Sequence, residues 1–153
     1  MQTITVERTV PAPIEQVFEW CTVTRNWQRS GWVLRNRLVR AGAGDPWGEG
    51  AVRTHLWTVG FFRERVTAHH PPNAHHYVVE RSFPPARHEG GTMTFAEVPE
   101  GTRVTWTTTV EIKLPVAAGL ATRVVARPLL GLVFGRILRA CAGGLADRQA
   151  ARY

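Results

Sequence analysis

The sequence predicts an α+β fold: one antiparallel sheet, a long C-terminal helix, and short helices after the first strand. Three observations carry this. Seven stretches have the alternation or composition of strands, and those from Ala51 onward follow one another with only turn signals between them. The last stretch, Ala117 to Arg152, changes from a two-residue to a helical period. At 153 residues the chain has the size of one domain, 1–153, able to bury about two thirds of its unfolded surface.

Thr3 to Val10 alternates Ile4, Val6, Arg8 and Val10 against Thr3, Thr5, Glu7 and Thr9, the pattern of a half-buried strand. Pro11-Ala12-Pro13 ends it. Ile14, Val17, Phe18 and Cys21 then recur at helical spacing, so a short helix covers Pro13 to Cys21. Thr22 to Gly31 mixes polar and aromatic residues and reads equally as a loop or a second short helix. Trp32 to Val39 is strand-like, and Ala41 to Pro46 is a breaker cluster. Ala51–Trp57, Phe61–Ala68, His76–Phe83, Thr92–Val98 and Thr102–Ile112 follow as strands. Their separators are Thr58-Val59-Gly60, Pro71-Pro72-Asn73, Pro84-Pro85 and Pro99-Glu100-Gly101, which imply antiparallel hairpins. In the terminal helix Pro128 predicts a kink, because proline removes a hydrogen bond and crowds the preceding turn. Arginines interrupt the apolar run enough to argue against a membrane span.

VERTVPAPIEQVFEW (Val6 to Trp20), GEGAVR (Gly48 to Arg53), RERVTAHHPP (Arg63 to Pro72) followed by Tyr77, and GTRVTW (Gly101 to Trp106) occur in this order. Together they resemble the polyketide cyclase/dehydrase branch of the START-like (Bet v 1-like, SRPBCC) superfamily over nearly the whole chain. The resemblance implies a helix-grip fold, in which the sheet curls around the last helix and the two enclose a cavity for a hydrophobic small molecule. It further implies a cyclase- or dehydratase-like enzyme acting on a polyketide or related carbonyl compound, or, as the alternative, a non-catalytic carrier or sensor of a lipid, quinone or similar apolar ligand. Fold does not choose between them. The sequence departs from the family pattern at Thr22-Val23-Thr24, where an acidic residue often follows the first helix.

Strand parity nominates the residues of such a cavity. On the last strand Val104, Trp106, Thr108, Val110 and Ile112 share the inward face, so Trp106 and Thr108 line it. Met93 and Phe95 face inward from the strand before, and Phe134 meets them from the helix. Plain core packing is the competing role for Trp106, Phe95 and Phe134. Phe62, Glu64, Val66 and Ala68 read inward, which sets a carboxylate on an apolar face. Unpaired, it would be costly, so an inward arginine is expected, and Arg53 is the natural partner. If Arg53, His55 and Trp57 face inward, the pair forms with His55 beside it; a purely structural ion pair or a surface Arg53 is the other reading. Tyr77, with Val79, points the same way, as a hydrogen-bond donor to a carbonyl or a core tyrosine. Under the enzyme reading Arg53 stabilizes an enolate oxygen, Glu64 or His55 moves the proton, and Tyr77 acts as acid. All of this requires an interior hollow lined mainly with carbon; a solid center, with Trp106 and Phe134 filling it and no room left for a guest, would end the small-molecule reading.

The net charge of +7 comes from arginines scattered singly, with Lys113 the only lysine and no basic run, so nucleic acid is not an expected partner. Membrane contact through the basic, apolar C-terminal helix is consistent with its composition. His69, His70, His75 and His76 flank Pro71 to Ala74, but adjacent residues on a strand point to opposite faces and no carboxylate or cysteine joins them. No metal or cofactor is expected. The N-terminus opens directly into the first strand pattern without the features of a secretion signal, and the two cysteines, Cys21 and Cys141, read as buried thiols of a cytoplasmic protein.

Overall fold

The computed structural model of the protein describes residues 1–114 and 116–152. Strand β1 (Gln2–Val10) leads to helix α1 (Ile14–Thr22) and a 3-10 helix over Thr24–Ser30. Six strands follow: β2 (Val33–Arg40), β3 (Val52–Trp57), β4 (Gly60–His70), β5 (Ala74–Phe83), β6 (Ala86–Val98) and β7 (Gly101–Ile112). The chain closes with α2 (Ala118–Ala121), a π-turn over Thr122–Ala126 and α3 (Arg127–Ala150), which run on as one helix. The seven strands make a single antiparallel sheet in the order β1-β7-β6-β5-β4-β3-β2. It is thus a meander whose first strand returns beside the last, with α1 and the 3-10 helix carrying the chain from one edge to the other. This is the helix-grip arrangement.

Between β1 and β2 the sequence allowed a loop or a helix, and the chain forms a 3-10 helix. Trp27 anchors it: fully buried, its indole N–H donates to the Cys21 carbonyl at 3.0 Å. Gly31 ends it in the left-handed region at φ +76°, which glycine adopts without a steric cost. Strand β6 begins at Ala86 rather than Thr92. A bulge between His88 and Gly91 breaks its ladder with β7, so the inward positions change parity along the strand. Met93, Phe95 and Gly91 are buried on the C-terminal side of the bulge; on its N-terminal side Ala86 and His88 turn inward while Arg87 and Glu89 are exposed. Gly91 is required here, because a Cβ in its place would fall within the Tyr77 ring.

The terminal helix lies against the sheet through Leu130, Val133, Phe134, Ile137, Leu138, Cys141 and Leu145, all buried at three- and four-residue spacing. Pro128 is accommodated by the π-turn, closed by the Arg127 amide donating to the Thr122 carbonyl; the extra residue re-aims the carbonyls that the proline would crowd. Thr122 ties this turn to the sheet, since its hydroxyl accepts from the Ile112 amide at 2.9 Å and donates to the Ala118 carbonyl at 2.7 Å. By length and composition alone Ala118–Ala150 could cross a membrane, so the arginines do not exclude a span as expected. Burial of one face against the sheet accounts for the apolar residues along that face.

Candidate functional site

The register of β3 against β4 sets Arg53 directly opposite Glu64, and that of β2 against β3 sets Asn36 opposite His55. The parity that was open on β3 is resolved: Arg53, His55 and Trp57 all point inward and are buried. Arg53 Nε donates to Glu64 Oε2 at 3.0 Å, and His55 Nε2 lies 2.8 Å from the same oxygen. Asn36 Nδ2 approaches His55 Nδ1 at 2.6 Å and Thr24 Oγ1 at 3.0 Å. The ring thus faces the carboxylate through Nε2, which donates to it, and Asn36 through Nδ1. Trp27 stacks on His55 with centroids 5.1 Å apart, while the Arg53 guanidinium lies 5.5 Å from the Trp27 ring and 5.3 Å from that of Tyr77.

Two neutral groups complete the surroundings of Arg53. Its Nη1 donates to His75 Nε2 at 3.3 Å and reaches the Thr22 carbonyl at 3.5 Å. Burial first, then the charges of Arg53, His69 and His76, hold the His75 imidazole down at about 2, so it is uncharged. His75 Nδ1 continues to His69 Nδ1 at 3.0 Å, and His69 Nε2 lies 3.4 Å from Asp45 at the surface. His76 meets Thr92 instead, on the other face. Among the described residues no group of three or more histidines, cysteines or acids is arranged to hold a metal ion.

The electrostatics fix the state of the carboxylate. Burial on its own would push Glu64 up, but the charges of His55 and Arg53 and their hydrogen bonds outweigh it and hold it at about 2. Tyr77 moves the other way: burial raises its phenol well above the ordinary value, Glu64 adds to that, and the Trp106 hydrogen bond and Arg53 only partly oppose it. Trp106 Nε1 donates to Tyr77 Oη at 2.8 Å.

The hollow is much smaller than expected. Trp106 and Phe134 stack face to face, centroids 3.8 Å apart and rings within 2° of parallel, and fill the middle of the grip. Two neighboring spaces remain beside them. The inner one, about 20 Å³, is bordered by Trp57, Phe62, Glu64, Tyr77, Val79, His88, Thr108, Leu130 and Phe134. The outer one, about 130 Å³, opens under the π-turn and is lined by apolar residues such as Val59, Val110, Val125 and Leu129, with His88 as its one ionizable group. Phe62, His88 and Leu130 border both. A larger depression of about 550 Å³ lies between α1 and the Asp45–Trp47 and Pro71–Pro72 loops, but its shallow rim of Glu15, Glu19, Arg25 and Asp45 suits solvent and does not reach Glu64.

Of the residues singled out from sequence, Trp57, Phe62, Glu64, Tyr77, Thr108 and Phe134 therefore come together around the inner space. Arg53, His55, Phe95 and Trp106 border neither chamber. Phe95 packs on Phe18 at 5.0 Å, and Arg53 and His55 are spent on Glu64 rather than presented to a guest. Thr108 donates to the Gly90 carbonyl at the bulge. His88 was missed because the strand was expected to begin at Thr92, and parity counted back from Phe95 and Met93 would have pointed it outward; the Gly90-Gly91 pair is the signal that could have revealed the switch.

The chain belongs to the family described as polyketide cyclase/dehydrase and lipid transport, whose model matches residues 1–149. No curated protein matches the sequence. Among solved structures, the protein TTHA0849 from Thermus thermophilus superposes with a TM-score of 0.79 at 19% identity, covering 96% of this chain and 99% of that one. A START superfamily protein from Mycobacterium smegmatis gives 0.72 at 15% identity, covering 95% and 97%. The di-domain ARO/CYC StfQ from the steffimycin biosynthetic pathway gives 0.63 at 17% identity, covering 99% of this chain and 46% of StfQ. At these identities the likeness is one of fold. The fold is START-like.

Proposed function

We propose that the protein binds a small hydrophobic molecule in the paired chambers under the terminal helix and acts as a non-catalytic carrier or sensor. The observation that carries this reading is the condition of Glu64. A general base works best when its pKa lies near the working pH, whereas Arg53 and His55 hold this carboxylate at about 2. Tyr77, raised by burial, is equally removed from proton exchange. What remains is an apolar space with a fixed polar end, the arrangement of a binding pocket. A cytoplasmic setting, in which the buried Cys21 and Cys141 thiols 4.0 Å apart stay reduced, belongs to the same proposal. Native mass spectrometry of the purified protein, followed by extraction, is the test: a small apolar molecule released unchanged supports it, and its conversion on the protein overturns the carrier role.

One observation favors an enzyme instead. His88 borders both chambers beside Glu64 and Tyr77, and burial keeps its imidazole below the ordinary value and so neutral, available to take a proton next to a carbonyl. In that reading Arg53 and His55 position Glu64 and do not touch substrate. Turnover of a polyketide-like carbonyl compound that persists after joint replacement of Glu64, Tyr77 and His88 would discard it.

Access from a membrane is part of the proposal. Leu120, Val124, Val125 and Leu132 are exposed on the helix that roofs the outer chamber. From Lys113 to Arg139 the chain carries five basic residues and no acidic one, which complements an anionic lipid surface. Cosedimentation with phosphatidylserine vesicles that is lost in Val124→Glu/Val125→Glu supports this route; binding unaffected by both charges rules it out.

A further inference from the structure

We propose that the outward face of β2 to β5 is a platform for a single-stranded polynucleotide, with phosphates on a row of arginines and bases stacked on the apolar row beside it. This face is the side of the sheet turned away from the chambers, and the proposal does not depend on them.

Along the chain the arginines are single and scattered, but the sheet register gathers them. Arg37 stands opposite Thr54, Thr54 opposite Arg63 and Arg63 opposite Arg81, so one row across four strands carries three guanidiniums. Two residues away on every strand, about 7 Å, runs a second row of Arg35, Leu56, Phe61 and Phe83. Arg40 and Arg65 extend the basic side, each opposite Val52. The only carboxylate that these strands turn outward is Glu80, which Arg65 engages at 2.7 Å and Arg63 at 3.6 Å. Arg35, Arg37, Arg40 and Arg81 are exposed and have no acidic partner among the described residues.

Two costs on this face point to a guest. Like charges directly opposed on neighboring strands destabilize a sheet, and Arg63 and Arg81 are so opposed, with Glu80 spent on Arg63 and Arg65. An anion beside them removes that cost. In the other row Phe83 is 71% and Leu56 43% exposed, so apolar surface lies against water. A groove of about 370 Å³ runs where the rows meet, lined by Arg35, Arg37, Val39, Thr54, Leu56 and Phe61. The occupant must therefore carry a line of anions with flat apolar groups to one side. A single strand does: guanidiniums pair with its phosphates, and any base has a face to stack on an aromatic ring. Four strands spaced by about 4.8 Å offer the breadth on which an open sheet stacks two or three bases. A duplex hides its base faces. A peptide strand added beside β2 is disfavored, because that edge is bulged at Leu34 and at Val39 and carries arginines. An acidic amphipathic helix needs an apolar groove, whereas Arg35, Arg37 and Thr54 make half of this lining polar.

The test is fluorescence anisotropy with labeled oligo(dT) of twelve nucleotides, the same strand without bases, a duplex of equal length, and an amphipathic helical peptide of glutamate and leucine. Oligo(dT) should bind about tenfold tighter than the abasic strand, the worth of one stacked base, and tighter than the duplex or the peptide. Raising NaCl from 50 to 200 mM should weaken it about twentyfold, as three neutralized phosphates require. Phe83→Ala should bring oligo(dT) down to the abasic strand, and Phe83→Trp, which keeps a stacking surface, should preserve the difference. Arg37→Glu/Arg81→Glu should weaken both strands about tenfold or more and flatten the salt dependence. These side chains are exposed, so the changes leave the core as it is. An abasic strand that binds as tightly as oligo(dT), a peptide or duplex that binds more tightly, an affinity untouched by Arg37→Glu/Arg81→Glu, or no binding at 50 mM NaCl overturns the proposal.

Discussion

Replacing Arg53 by methionine would leave Glu64 in its apolar setting with half its support gone. In the intact protein the carboxyl is held at about 2 against an ordinary 4.5, a depression equivalent to about 3 kcal/mol of stability. Because the folded-state value is depressed, that stability is fully present above pH 4.5 and is lost as the pH falls toward 2. In Arg53→Met burial prevails and the carboxyl moves upward, so protonation now relieves the folded state instead of harming it. Breaking a buried pair from one side costs about 3–5 kcal/mol, and a loss of that order is expected at pH 7 in urea unfolding followed by tryptophan fluorescence. The gap from the natural protein should narrow steadily between pH 5 and pH 3. Arg53→Met/Glu64→Leu, which removes both charges, should recover most of the loss at pH 7. A gap that is constant with pH, or a harmless Arg53→Met, would refute the argument that this pair governs the carboxylate.

Other outcomes follow from the packing. Trp106→Ala removes the partner of Phe134 and of the Tyr77 hydroxyl; it should cost about 3–5 kcal/mol in the same unfolding assay and admit two-ring probes such as 2-naphthol that the natural chamber rejects. Gly91→Ala drives a methyl into the Tyr77 ring and should destabilize by about 1–3 kcal/mol, whereas Gly135→Ala, with open space at its Cβ, should stabilize the helix by about 0.5–1 kcal/mol. The Cys141 hydrogen bond, burial and the Cys141 charge all raise the Cys21 thiol. Both cysteines should therefore resist DTNB at pH 8 until urea unfolds the chain, and rapid labeling of the native protein would contradict their burial.

Much of the fold was legible because its signals are local. The alternation Val104, Trp106, Thr108, Val110 runs unbroken, so the inward face of β7 followed from counting. The Arg53–Glu64 pair was reachable by a different route: an inward carboxylate demanded a cation, and few were within reach. What escaped depends on events that sequence periodicity does not encode. Pro84-Pro85 read as a separator and the next strand was started only at Thr92, which hid the first half of β6 and, with it, His88. Pro128 announced a disturbance, but the helix met it with a wider turn rather than a break. Cavity volume was the least legible quantity, since it is set by how Trp106 and Phe134 lie on each other, a matter of rotamers and not of composition.

The bulge between His88 and Gly91 gives the interior an unusual kind of adjustability. Because it alone decides which residues of the N-terminal half of β6 look inward, sliding it by one position would withdraw the imidazole and offer Arg87 or Glu89 in its stead. A relative that gains or loses one residue at the Gly-Gly step could thus exchange a neutral end wall for a charged one, and with it the guest, while every other strand keeps its partners.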